Sequence, residues 1–96
     1  MHNDGLKPEV RKKIITFLQY LFPGAKIYLY GSRAKQTFHD RSDIDLAIDA
    51  GKAVFLGEAR DVMEALAIPY KIDLVDLHVI SAEFKNEIMK TAVEWT

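Results

Sequence analysis

Tyr28-Leu29-Tyr30-Gly31-Ser32-Arg33, followed after a short polar stretch by Ser42-Asp43-Ile44-Asp45-Leu46-Ala47-Ile48-Asp49, is the part of this chain whose reading decides the rest. Side chains alternate faces along an extended strand. Asp43 and Asp45 therefore point to one side, and Ile44, Leu46 and Ile48 to the other. One face presents paired carboxylates over a hydrophobic underside. Just upstream, residues 26–30 (Lys-Ile-Tyr-Leu-Tyr) alternate, are rich in β-formers and read as a strand stopped by Gly31.

Working outward, Pro8 fits the first turn of a helix, where its missing N–H costs nothing. Val10, Ile14, Phe17, Leu18 and Leu21 then recur at helical spacing, until Pro23-Gly24 ends the run. Residues 32–36 are expected to form one helical turn with Ser32 as N-cap. Val54, Glu58, Asp61, Val62, Ala65 and Leu66 fit a second helix stopped by Pro69. Tyr70 to Leu77 reads as a third strand, and Phe84, Ile88, Met89 and Val93 give a last helix its apolar stripe, with Ser81 and Glu83 favouring its start. The order α-β-(turn)-β-α-β-α predicts an α/β (α+β) fold, a small mixed sheet with helices packed on it. The helix between the second and third strands permits a right-handed crossover and parallel pairing.

The chain has 96 residues, expected to form one minimal domain over 1–96 with a single core. No apolar run approaches the roughly 20 residues that span a bilayer, and no signal-peptide pattern opens the sequence. There are no cysteines, which excludes disulfides and thiolate metal sites, and the expected compartment is cytoplasmic. With 13 basic and 14 acidic residues and a net charge of −1, no basic excess indicates independent nucleic-acid binding. The one basic cluster, Lys7, Arg11, Lys12 and Lys13, reads as a solvated helix face.

Asp73 adds a third carboxylate inside the third strand, where a charge is expensive to bury without a partner. Beside a strand carrying Asp43 and Asp45, it would bring three acidic groups to one patch. Two like charges about 4 Å apart repel by about 4 kcal/mol at an effective dielectric near 20. A divalent cation reverses the local field, and oxygen-only ligands point to Mg²⁺, with Mn²⁺ as the other choice, rather than zinc. The Gly31-Ser32 turn supplies a phosphate grip: glycine allows close backbone approach and Ser32 adds a hydroxyl. Arg33, Lys35 and Arg41 are candidates to neutralise phosphate charge, Arg33 first for its place beside the turn. No Gly-Lys-Ser/Thr follows, so this is not a Walker A loop.

Gly31-Ser32, the spacing to Asp43-Ile44-Asp45, and a later Asp73 on a strand together resemble the minimal nucleotidyltransferases of the DNA polymerase β superfamily. The resemblance covers roughly residues 25–80. It implies the polymerase β-like fold and transfer of a nucleoside monophosphate, usually AMP from ATP, to a hydroxyl with release of pyrophosphate. It further implies that Asp43 and Asp45 bind two Mg²⁺ ions, that Asp73 binds one of them and helps deprotonate the acceptor, and that Gly31 and Ser32 hold the triphosphate. Chains of this size also look like the antitoxin half of two-gene systems whose partner is an all-helical HEPN protein, which the nucleotidyltransferase adenylylates. Gln36 departs from the pattern, standing where many relatives carry glycine.

Other residues receive plainer readings. Asp49 and Asp76 are expected to be strand-end surface carboxylates, and Asp40 a loop residue. His2, His39 and His78 lack metal spacing, and Tyr28, Tyr30 and Phe38 are expected in core or rim packing. The alternative to catalysis is a nucleotide-binding or antitoxin subunit that acts by complex formation alone. A carboxylate-based phosphohydrolase is the weakest reading, since it lacks a His-rich metal set.

Overall fold

The computed structural model describes residues 3–96; His2 lies outside them. Pro8 opens α1 (Pro8–Leu21), and a turn leads to β1 (Lys26–Tyr30) and directly into the short α2 (Gly31–Lys35). Then follow β2 (Ile44–Asp49), α3 (Gly57–Ala65), β3 (Ile72–Asp76), α4 (Ala82–Thr91) and β4 (Val93–Glu94). The four strands form one mixed sheet in the order β3-β2-β1-β4. β1 is antiparallel to both β2 and β4, while β2 and β3 run parallel, as the intervening α3 permits.

The alternation in β2 sorts the two faces as the sequence predicts. Ile44, Leu46 and Ile48 are fully buried with Ile27, Leu29 and Leu74. They pack against Ile14 and Leu18 of α1 and Ala59 and Met63 of α3. Burial of each such aliphatic side chain contributes about 1.5–3 kcal/mol. On the other face, Ala47, Leu77 and Ile88 make a smaller cluster with Tyr28, Tyr30 and Val75, so α4 covers only part of that side. Asp45 and Asp73 stand on the same side of the sheet, beyond that cover.

Several boundaries differ from the sequence reading for local reasons. The second helix begins at Gly57, not Val54, because the Val54 N–H donates to Asp76 Oδ2 at 2.8 Å. Asp76 also accepts from the His78 N–H at 2.9 Å and is 1% exposed, so it is a buried loop anchor and not a surface carboxylate. Ser32 lies inside α2, and Tyr30 occupies the N-cap position with extended backbone. Ser81 does cap α4, accepting the Phe84 N–H at 3.1 Å. The two-residue β4 was not expected; its residues lie where helical periodicity from Phe84 to Val93 extends through the sequence, but the helix ends at Thr91.

Candidate active site

The site grows from the junction of β1 and α2. Gly31 has φ +75°, a backbone conformation that disfavours side chains, and a Cβ there would collide with Asp45 Oδ2. The turn thus needs glycine twice over, once for its dihedral and once to leave room for the carboxylate behind it. Gln36 closes α2 in the left-handed region with φ 62° and ψ 31°, where its N–H reaches the Arg33 carbonyl at 3.4 Å. This is a backbone position that glycine adopts without strain, and in this chain Gln36 adopts it. Gln36→Val is expected to cost about 1–2 kcal/mol in urea unfolding, and Gln36→Gly to stay within about 1 kcal/mol of the parent.

Register brings the acidic residues together. Asp45 and Asp73 are paired positions on the parallel strands β2 and β3, and Tyr30 pairs with Asp45 across β1. Neighbouring strands lie about 4.8 Å apart, so Tyr30, Asp45 and Asp73 form a row across the sheet. Asp43 precedes β2 and opens, with Asp45 and Ser32, onto one cleft also lined by His39, Arg41 and Ser42. Asp73 borders a neighbouring groove along β3 with Tyr70, Lys71 and Ile72. Asp43 shares a third depression with Arg41, Tyr70 and Lys71, which joins the two sides.

The charges feel one another. Burial raises the Asp45 carboxyl above its ordinary value, and the charges of Asp73 and Asp43 raise it further, with Lys71 opposing them. Burial first, then the charges of Asp45 and Asp73, push the Tyr30 phenol up to about 12, so it remains protonated. Tyr30 is held edge-on against Phe84, with ring centroids 6.2 Å apart.

Asp45 favours the folded state more strongly when protonated, because its folded pKa lies above the unfolded value. That contribution is fully present below about pH 3.8 and is lost as pH rises through the folded value. Asp45→Asn is therefore expected to be more stable than the parent at neutral pH without divalent cations, with the difference shrinking as pH falls toward 3.8. Urea unfolding of both proteins across this range measures it.

The donor set fits an oxygen-preferring cation of the Mg²⁺ type, and the repulsion at Asp45 is what such an ion would relieve. Among the described residues, however, no three His, Cys, Asp or Glu side chains are grouped to hold an ion alone. The aspartates are neighbours and do not form a closed cage. Mg²⁺ commonly completes such open sites with water and substrate phosphates.

Arg33 does not line the cleft: it is 1% exposed, and its Nε and Nη2 donate to the Ser42 carbonyl at 3.2 and 2.9 Å. In this conformation it is an interior side chain. Lys71, absent from the candidate set, sits between the clefts and acts on Asp45; it is two residues before Asp73, on the same strand phase, which was the available signal. Asp49 is remote from the row and receives His78 Nε2 at 2.7 Å, while Lys35 lies on the other side of Gly31 with Tyr30 and Phe84.

The chain is similar to several known proteins. The model of the polymerase β nucleotidyltransferase family matches residues 12–94. The chain is 34% identical over 92 residues to the probable protein adenylyltransferase MntA of Haemophilus influenzae, covering 92% of this chain and 80% of that protein. A crystal structure of a toxin–antitoxin with AMP-PNP superimposes with a TM-score of 0.75 at 31% identity, over 90% of this chain and 72% of that one. A mutant MntA–HpeT toxin–antitoxin structure gives 0.73 at 29% identity, over 90% of this chain and 71% of that one.

Proposed function

Because this chain belongs to the polymerase β nucleotidyltransferase family, we propose that it transfers AMP from ATP to a hydroxyl on a helical HEPN-type partner, acting as the antitoxin of that pair. The carrying observation is the in-register pairing of Asp45 with Asp73 beside a cleft that Ser32 and Asp43 also line. The similarity to a protein adenylyltransferase and to a toxin–antitoxin holding AMP-PNP supports the choice of nucleotide and acceptor class.

In the reaction, the acceptor oxygen bonds to the α-phosphorus, the bond from that phosphorus to the bridging oxygen breaks, and pyrophosphate leaves. Two Mg²⁺ ions, or Mn²⁺, held by Asp43, Asp45 and Asp73 would neutralise phosphate charge and make the acceptor hydroxyl more acidic. Gly31 leaves room at the turn, and the Ser32 hydroxyl donates to phosphate oxygen. Arg41 and Lys71, which flank Asp43, offset the remaining negative charge. Asp73 faces the neighbouring groove and serves the acceptor side, orienting the hydroxyl and taking its proton. The minimal domain over 1–96 acts in the cytoplasm, with the acceptor surface supplied by the partner.

Incubation with the HEPN-type partner, ATP and Mg²⁺ should add one or more AMP units to the partner's mass. A stable complex with no mass gain would overturn the transferase reading. It would favour the second one, a non-catalytic nucleotide-binding antitoxin, which draws on the open spacing of the aspartates.

A further inference from the structure

We infer that Arg33 is the positioning residue of this site, tying the stretches that carry Ser32, Asp43 and Asp73 to one another from the interior. The inference rests on the functional reading above, and the Arg33 side chain itself is buried, 1% exposed. Arg33 follows Ser32 in α2. Its Nε and Nη2 both donate to the carbonyl of Ser42, the residue before Asp43. Its Nη1 donates to the Asp4 carbonyl at 2.8 Å, from the segment ahead of α1. The guanidinium carbon lies 5.1 Å from the Phe38 ring centroid and 4.6 Å from that of Tyr70, which leads into β3 and Asp73.

These partners explain why arginine stands here. A planar fork can serve two carbonyls in different directions while its central carbon lies over two aromatic rings. Lysine, a compact point charge on a flexible stem, cannot hold that arrangement. The connection from residue 37 to 43 has no helix or strand of its own. Its internal bonds include Ser42 N–H to the His39 carbonyl at 3.0 Å, His39 N–H to Ser42 Oγ at 2.9 Å and Arg41 N–H to His39 Nδ1 at 3.2 Å. Those bonds shape the turn locally. The Arg33 fork is what fixes Ser42, and so the approach to Asp43, relative to α2.

Misplacement of reacting groups by about 1 Å can cost about 100-fold in rate. Arg33→Lys and Arg33→Met are therefore expected to lower kcat for AMP transfer by about 10–100-fold, with Met the worse. The KM for ATP should change by less than about threefold, because no phosphate contact is lost. In the nucleotide-free protein, hydrogen exchange of amides 37–43 should accelerate by about tenfold or more, with β1 and α4 unchanged. Phe38→Leu, which removes one stacked ring and keeps the hydrogen bonds, should move kcat and exchange in the same direction by less, and stands in if Arg33→Met does not fold. Unchanged exchange together with a KM for ATP raised tenfold or more at constant kcat would overturn the inference and make Arg33 a phosphate ligand. Parental kcat and exchange in Arg33→Lys would overturn it as well. If the parent protein itself does not modify the partner, the proposed function fails, while the exchange measurement still decides the role of Arg33.

Discussion

Asp45→Asn is expected to lower AMP transfer to the partner by about a thousandfold or more while leaving a folded protein. Asparagine keeps the shape of the side chain and removes its charge. Asp45 holds the central position of the row, paired with Asp73 on one side and Tyr30 on the other. A loss of about 4 kcal/mol of transition-state stabilisation corresponds to that factor, and ion-assisted phosphoryl chemistry depends on several kcal/mol of charge stabilisation. Circular dichroism should be unchanged, and stability at neutral pH without divalent cations should rise, since a repelled carboxylate has gone. Mass spectrometry of the partner after incubation with ATP and Mg²⁺ reads the loss. Transfer within tenfold of the parent would remove Asp45 from the proposed machinery.

The second large effect is expected at Gly31. Gly31→Ala must adopt φ near +75° and place its Cβ against Asp45 Oδ2, so the carboxylate has to move. The dihedral alone costs about 1–2 kcal/mol of stability. The displaced carboxylate adds an expected loss of about 100-fold in transfer rate. Gly24→Ala separates the two effects. Gly24 has φ +79°, but nothing lies within 4 Å of a Cβ built there. Gly24→Ala should therefore lose similar stability at the dihedral and retain the parental rate per folded molecule. Urea unfolding and AMP transfer, measured on both variants, test this. Equal rates in the two would mean that the room beside Asp45 is dispensable.

The fold was legible where patterns are local and strong. Ile44, Leu46 and Ile48 alternate with acidic residues, and that phase alone places the carboxylates opposite the core. α1 was readable from its apolar spacing between Pro8 and Pro23. The helix between them permitted the parallel pairing of β2 with β3 that the sheet shows. What escaped depends on contacts between residues far apart in the chain. Asp76 looked like surface because its two amide partners, at Val54 and His78, are supplied by the fold. Arg33 looked like a phosphate ligand because it follows Ser32, yet the carbonyls of Asp4 and Ser42 draw it inside. β4 is two residues long and exists only because β1 offers an edge, with Trp95 N–H reaching the Ile27 carbonyl at 2.7 Å. Periodicity cannot report such an element.

The two-residue rhythm of β2 also guards against error. Sliding that strand by a single step would turn Asp45 toward α1 and α3 and push three isoleucine or leucine side chains into water. Such a frame forfeits the oily contacts before it can misplace the acidic ones. A molecule that folds at all thus presents its carboxylates on the correct side, and a one-residue insertion within β2 should yield unfolded chains instead of well-folded, inactive ones.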